Sequence, residues 1–578
     1  MPRARLPPLP PSSAWSKHFP SRYLPVSPDR IMIRKAPGRI LLSNPVLCDN
    51  YVKSLKLREG EVVIESYAGV GALTRSLISG GDSVGEAKRW DGSKLDVPAE
   101  GEVTTSQGSG KSVIKKKKKR DPKEFPIWLE ALPPPLPEAE RPKEDDKLVK
   151  PRLVVASEGS SELLLRAFDY PSSHMHTNSH AVTSSSNPEL ESGAGSSSTE
   201  GISNGSTITD TPGRSGPPIV QSPYEPNLLL SHSTSYVWST LPLLLENPLV
   251  SEHLPVYDAS AAPGPETTKR PWKAPEPPIT LVAQLPDSSI GEQLAAQWVG
   301  SAVGDPDQQR TWIWEWGRLR LALLCGKSLY DRILAKPGDI INCKLSILAQ
   351  ALFDIVPLPP YHHVQNVDKQ SKFTVDRPVK YTSLAPKSNA KPIGMPTSTP
   401  SDFVTSSLSA TSEGLVGERL VGQQKTITYP GDFWPPPTTS TKAKAKPLER
   451  PPLLGLMLIP KIETPILAAQ KDTWDYVMRR LFVRDTMTLK DSIPNLAFGA
   501  EILLKRIQED GMQIDEKTGE NKVKWRGVPV DESRVIRELH VEEWLRIVDV
   551  FDKWAFKPDN LILDSGGLDE NIRELGQD

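Results

Sequence analysis

Cysteine is scarce in this 578-residue chain: there are three, Cys48, Cys325 and Cys343, with no C-x-x-C among them. That excludes a disulfide framework and a cysteine-built zinc site, and it fits a reducing interior. The nine histidines fall into no H-E-x-x-H or comparable spacing, so the usual metal motifs are missing as well. No apolar run reaches the roughly 18 residues that a membrane span needs; the longest, around 453–459 and 319–324, have the length of core strands. Net charge is missing too. The 70 basic and 71 acidic residues leave −1, so the global balance says nothing about nucleic acid. Acid is absent from the first 28 residues, which carry Arg3, Arg5, Lys17 and Arg22 before Asp29 appears. A basic, acid-free, serine-containing start of this kind, 1–29, resembles a mitochondrial targeting segment. Its prolines count against an amphipathic helix there, and a disordered tail is the alternative.

Proline is abundant instead, at 58 residues, and long tracts are rich in Ser, Thr, Pro and Gly. Such tracts bury too little apolar surface to offset chain entropy. Three are expected to be disordered insertions: 82–150, with "KSVIKKKKKR" and "LPPPLPEAERPKEDD"; 171–225, with "SSSNPELESGAGSSSTEGISNGS"; and 366–448. Between them the apolar pattern is that of a globular protein. "EVVIESY", "LVVAS", "ITLVAQLP", "GRLRLALLCG" and "PPLLGLMLIPKI" read as strands. "VLCDNYVKSL", "SSELLLRAF", "GEQLAAQWVGSAV", "SLYDRILAKPG" and "CKLSILAQAL" read as helices. Strands alternating with helices predict an α/β domain, doubly wound around a parallel sheet and assembled from 30–81, 151–170, 226–365 and 449–470. Helical spacing in "TWDYVMRRLFVR", "AFGAEILLKRI" and "HVEEWLRIVDVFDKWAF" predicts a small α-helical C-terminal domain over 471–578.

The stretch "IESYAGVGALTRSL" is a strand, a glycine-containing turn and a helix. Gly69 and Gly71 let the backbone turn sharply and approach a ligand closely. A tight strand-to-helix turn with no ligand gives the same pattern. The following strand ends in Glu158, where a carboxylate can accept both hydroxyl hydrogens of a ribose. The two features together describe the adenosine-binding half of a Rossmann-like fold.

In that order, "GRILLSNPVLCDNYVKSL", "VVIESYAGVGALTRSLI", "LVVASE", "LVAQLP" and "LSILAQALFDIVPL" resemble the rRNA adenine N6-dimethyltransferase family, whose members use S-adenosylmethionine. "SYVWSTLPLLLENP", "WIWEWGRLRLALL", "RILAKPGD", "TWDYVMRRL" and "FDKWAFKPD" are more similar to its fungal mitochondrial transcription factor B branch. The resemblance implies a SAM-methyltransferase-like sheet and a cofactor site at Leu42, Tyr67, Gly69, Gly71, Glu158 and Gln284. It also implies a mitochondrial-matrix location, and mitochondrial RNA polymerase, promoter DNA or rRNA as partners. Departures bear on activity. Where the family has an amide and an aromatic that orient a flipped adenine, this chain has Gln284, Leu285, Pro286 and Asp287. Tyr67 stands at the first glycine of the turn, and Ile40 at an N-terminal amide. The degenerate motif implies lost methyl transfer, and whether the cofactor is bound or vestigial stays open. The two functions to weigh are a transcription initiation factor and an active dimethyltransferase acting on mitochondrial small-subunit rRNA.

Period-2 alternation in "TWIWEWGRLRLAL" places Trp312, Trp314, Trp316, Arg318 and Arg320 on one side of an expected strand. Trp314, Arg318 and Arg320 are then candidates for stacking on bases and neutralising phosphates; buried core filler is the alternative. Arg479 and Arg480, with Lys505 and Arg506, are further phosphate candidates on C-terminal helices. The six consecutive cations at 115–120 suit electrostatic DNA binding, a nuclear localisation signal or a solvated run.

Overall fold

The structure is a computed structural model. It describes residues 6–13, 15, 39–90, 147–170, 217–257, 268–361, 427–437 and 451–561, apart from 306, 308–309 and 515–520, with a few isolated positions besides. The cationic run at 115–120 lies outside the described residues.

Twelve strands are described: β1 (Leu41–Leu42), β2 (Val62–Ser66), β3 (Leu153–Ser157), β4 (Ile219–Gln221), β5 (Leu228–Ser231), β6 (Ile279–Gln284), β7 (Arg320–Cys325), β8 (Phe353–Leu358), β9 (Phe433–Trp434), β10 (Leu454–Pro460), β11 (Met512–Ile514) and β12 (Asn521–Val523). Eight of them form one sheet in the order β4-β5-β3-β2-β6-β7-β10-β8. β5, β3, β2, β6 and β7 run parallel. β10 is antiparallel to both β7 and β8, between which it lies. From β2 the chain winds first toward β3 and β5 and later back to β6 and β7. The topological switch point is therefore at β2, where ligands bind in such sheets.

The central strands are buried on both faces, which explains their continuous apolar sequences. Alternate residues feed two cores. Val63, Val154, Ala156, Ala322 and Leu324 pack with Tyr51, Leu73 and Phe168 from helices α1 (Pro45–Leu55), α2 (Ala72–Ile78) and α4 (Ser161–Phe168). Val62, Ile64, Leu153, Val155, Leu321 and Leu323 pack on the other face. Helices α5 (Ser289–Ser301), α6 (Lys327–Leu334) and α7 (Lys344–Leu352) lie there with Trp298, Ile333 and Ile347. The same core continues into helices α8 (Lys471–Phe482) and α9 (Val541–Asp552) through Trp474, Trp544 and Phe551.

Several sequence expectations need correction. The tract 82–150 starts with an ordered helix, α3 (Ser83–Arg89). The Asp49 carboxylate accepts the backbone N–H groups of Ser83 and Val84 at its first turn, at 3.0 and 3.1 Å. The tract 171–225 ends in β4, which forms a hairpin with β5. The tract 366–448 contains β9, which pairs with β1. Each of these elements is short; α3 and β9 lean on distant partners and β4 on the adjoining β5, so local composition hid them. The C-terminal region is not wholly helical, since β11 and β12 form a two-stranded sheet. In the N-terminal segment, residues 6–13 and Trp15 are packed against the fold, with Trp15 buried. The expected strand at 312–321 is also wrong in its first half. Trp312–Trp316 is a 3-10 helix that ends at Gly317 with φ 91°, and β7 begins only at Arg320.

That last difference relocates the two arginines. Arg320 sits at the amino end of β7, next to Thr280 of β6. Its guanidinium pairs with buried Glu61 at 2.9 Å and donates to the Leu55 carbonyl at 3.0 Å, tying the end of α1 to the sheet. We expect Arg320→Ala to lose about 3 kcal/mol of stability, the cost of breaking a buried ion pair, softened because Arg58 still pairs with Glu61 at 2.9 Å. Urea unfolding of the purified variant checks this.

Candidate functional site

The switch point opens at the carboxyl ends of β2, β3 and β6, where Tyr67, Glu158 and Gln284 meet the segment entering β1. The turn after β2 keeps the backbone of a ligand cradle: Tyr67, Gly69 and Gly71 have φ 63°, 62° and 77°. Positive φ is costly for a bulky residue, so Tyr67 holds a glycine conformation without being glycine. Its ring lies beneath the Arg39 guanidinium, 5.3 Å away, and burial pushes its hydroxyl up to about 12.

Glu158 is spoken for. One of its carboxylate oxygens accepts from Arg39 at 2.7 Å and from the Gly69 N–H at 2.8 Å, and the other accepts from the Ser160 N–H at 3.1 Å. Both charged partners are at most 3% exposed. A Cβ added at Gly69 would collide with the Leu41 side chain, and one at Gly71 with the Phe168 ring. The close approach that these glycines permit is thus taken by the chain itself. Gln284 Oε1 accepts the Leu42 N–H at 3.2 Å, fastening β1 across the end of β6. S-adenosylmethionine would need the Glu158 carboxylate for its ribose and the space over Gly69. With Arg39 on the first and Leu41 in the second, the residues as they stand do not fit it.

A second carboxyl lies deeper. Glu65 is fully buried; one oxygen accepts from the Thr74 hydroxyl at 2.6 Å and the other has no hydrogen-bond partner. Burial, partly offset by that bond, raises its pKa to about 8.

The remaining sequence candidates scatter. Leu42, Tyr67, Gly69, Glu158 and Gln284 come together here, and Gly71 packs α4. Leu285 is core, and Asp287 is exposed beside Gly326. Trp314, Arg318 and Arg320 do not join them. Trp314 is fully buried. Arg318 is held by the carbonyls of Trp272 and Ala274 at 3.0 and 3.2 Å and by Glu276 at 3.1 Å. Arg320 is at the opposite end of the sheet. As placed, none of the three presents a free face to nucleic acid, because desolvating these groups is offset by partners inside the protein. Arg479 pairs with Asp475 at 2.8 Å. Arg480 is exposed, over the Tyr476 ring at 5.4 Å.

Two groups were missed in the sequence. Arg39, within "GRILL", gives no sign of its distant partner. Tyr236 and Trp238 are 42% and 46% exposed in the loop after β5. That loop is tied to the cleft by a hydrogen bond from the Ser235 hydroxyl to that of Ser66, at 2.6 Å. Trp238 stacks on Trp312 with ring centroids 4.1 Å apart, and the Trp312 indole N–H donates to the Trp238 carbonyl at 2.7 Å. The signal available was aromatic residues set in the polar run "HSTSYVWST" directly after a strand.

The Glu65 shift makes a pH prediction. A carboxyl whose folded pKa is about 8, against 4.5 for the free group, keeps its proton longer in the folded state. The folded state then gains stability below pH 4.5 relative to alkaline conditions, and loses it as pH rises through about 8. Glu65→Gln should flatten that decline, by roughly 3–5 kcal/mol between pH 5 and 9. Denaturant titrations of the two proteins across that range check it.

No family model matches the chain. It is 20% identical over 270 residues to mitochondrial transcription factor 1 of Lachancea kluyveri, which covers 47% of this chain and 55% of that protein. It is 31% identical over 91 residues to mitochondrial dimethyladenosine transferase 1 of Bos taurus, covering 16% and 25%. The chain thus spans about half the length of the first relative and a quarter of the second. Among solved structures, a dimethyladenosine transferase from Plasmodium falciparum aligns with TM-score 0.34 and 11% identity, over 89% of this chain and 98% of that one. The 23S rRNA methyltransferase ErmE aligns with TM-score 0.34 and 9% identity, over 89% and 100%. The longer of these sequence similarities is thus to a fungal mitochondrial transcription factor and the shorter to a dimethyladenosine transferase, in a chain whose sheet is wound about the β2 switch point.

Proposed function

We propose that this protein is a mitochondrial transcription initiation factor. In this reading it works in the matrix with a single-subunit mitochondrial RNA polymerase, and it helps to open promoter DNA and hold the unpaired strand. The observation that carries the reading is the self-filled cleft: the carboxylate, the glycine cradle and the motif amide that methyl transfer requires are each engaged by Arg39, Leu41 or Leu42. The longer similarity, to a mitochondrial transcription factor, points the same way.

What the cleft offers nucleic acid is its rim. Tyr236 and Trp238 are both exposed, two positions apart in the sequence, and Trp238 is already backed by Trp312. A preformed aromatic ledge rewards unpaired bases, at about 1–3 kcal/mol per stacked base, and gives nothing to a closed duplex. Phosphate contacts from exposed cations such as Arg480 add a salt-dependent, sequence-independent component.

The rival reading, an active rRNA dimethyltransferase, needs Gln284 to leave the Leu42 N–H and Asp287 to do the work of an aromatic. Purified protein given labelled S-adenosylmethionine and unmethylated small-subunit rRNA should transfer no methyl group above background. Robust dimethyladenosine formation would overturn the transcription reading. The positive test is transcription from a mitochondrial promoter by the cognate polymerase, which should depend on added protein. Binding to bubble or single-stranded DNA should exceed binding to duplex. Trp238→Ala should weaken the bubble complex by about 1–3 kcal/mol while leaving duplex binding nearly unchanged. Fluorescence anisotropy on matched probes measures both.

A further inference from the structure

The N-terminal segment enters the fold in a way that its composition does not suggest. Trp15 is 1% exposed and belongs to the same core cluster as Leu41, Leu42, Phe433 and Trp434. Its indole N–H donates to the Pro10 carbonyl at 2.8 Å, and its ring meets Trp434 edge-on at 5.9 Å. Pro7, Pro8 and Pro10 are buried as well. The Pro7 carbonyl accepts from Arg75 Nε of α2 at 2.7 Å, and the Ser12 hydroxyl donates to the Gly431 carbonyl at 3.2 Å.

These contacts lie behind the part of the chain that fills the cleft. Gly431 and Asp432 are also where β1 is anchored. The Asp432 carbonyl accepts the N–H groups of Ser43 and Asn44 at 2.9 and 3.2 Å, and the Ser43 hydroxyl donates to the Gly431 carbonyl at 3.1 Å. β1 and β9 pair through Leu41 with Trp434 and Leu42 with Phe433. The order of support is therefore Trp15 on Trp434, Trp434 on Leu41, and Leu41 over Gly69.

We infer that residues 6–13 and Trp15 are a permanent wedge of the working protein, and that maturation does not cut the chain between residues 15 and 39. The proposal rests on the mitochondrial reading only in its reference to import: a targeting signal carried by this basic, acid-free start is used and then kept, because folding needs the same residues. A cut beyond Trp15 would leave the Trp434 edge facing a tryptophan-sized void, and core truncations of that size are among the most destabilising single changes known. It would also strip a hydrogen bond from the Gly431 anchor and loosen the support of Leu41.

The test uses the full chain. Protein isolated from its native cells, digested and sequenced by mass spectrometry, should yield peptides that include residues 6–15; a mature N-terminus between residues 16 and 38 overturns the inference. Recovery outside mitochondria would sink the location reading without touching this result, since the same peptides decide retention in any compartment. In purified protein, Trp15→Ala should lower Tm by several degrees, and Trp15→Phe should recover most of that loss. An unchanged Tm for Trp15→Ala overturns the wedge. Should Trp15→Ala fail to yield soluble protein, the Ser12→Ala and Trp15→Phe variants decide instead. Both should then melt below the parent, and parental melting of both counts against the inference.

Discussion

A guanidinium closed on a carboxylate at the switch point constrains everything around it. Arg39 and Glu158 are both desolvated, which is expensive unless each charge is fully used. The site meets that demand for the carboxylate, which Gly69 and Ser160 complete, whereas the cation has the Tyr67 ring beneath it and its buried Nε without a hydrogen-bond partner. Because the pair needs the β2 turn, the end of β3 and the entry to β1 at once, it fixes three separate segments in one arrangement. The doubly wound scaffold keeps a cleft at its switch point, and the chain itself fills it.

Much of the fold was legible in the sequence because the central strands are buried on both faces. "EVVIES", "LVVAS", "ITLVAQ" and "RLALLC" need no partner to be recognised as apolar strands, and the helices between them carry clear apolar spacing. What was illegible depends on pairing and not on local pattern. β1, β4 and β9 are two or three residues long and exist only through pairing. Trp312–Trp316 alternates like a strand, yet Gly317 turns the backbone before β7 and the indoles pack in a 3-10 helix.

The site divides along the same line. Tyr67, Gly69 and Glu158 could be found because a strand-turn-helix and a strand-end acid are local patterns. Arg39 could not, since its partner is 119 residues away. Arg318 and Arg320 looked like phosphate ligands because sequence shows charge without burial. Their actual partners are Glu276 and Glu61, and both arginines serve the amino-terminal side of the sheet. The exposed aromatics of the β5 loop, though within the quoted "SYVWSTLPLLLENP", were not singled out as site residues for the opposite reason, being brief and set among serines.

The placement of β10 has a consequence for how the chain becomes a protein. β8 joins the sheet only through β10, and β10 arrives after the long tract that follows Leu358. Until Leu454–Pro460 has left the ribosome, β7 has a bare edge and β8 has no strand to pair with. At equilibrium the long connection is inexpensive, since each doubling of loop length adds only about 0.6 kcal/mol of closure entropy. In time it is not, because pairing across a large sequence separation is slow and leaves strand edges open to other chains. Such a molecule is vulnerable for as long as it is incomplete, so its yield in the cell should depend on chaperone capacity far more than its finished stability suggests.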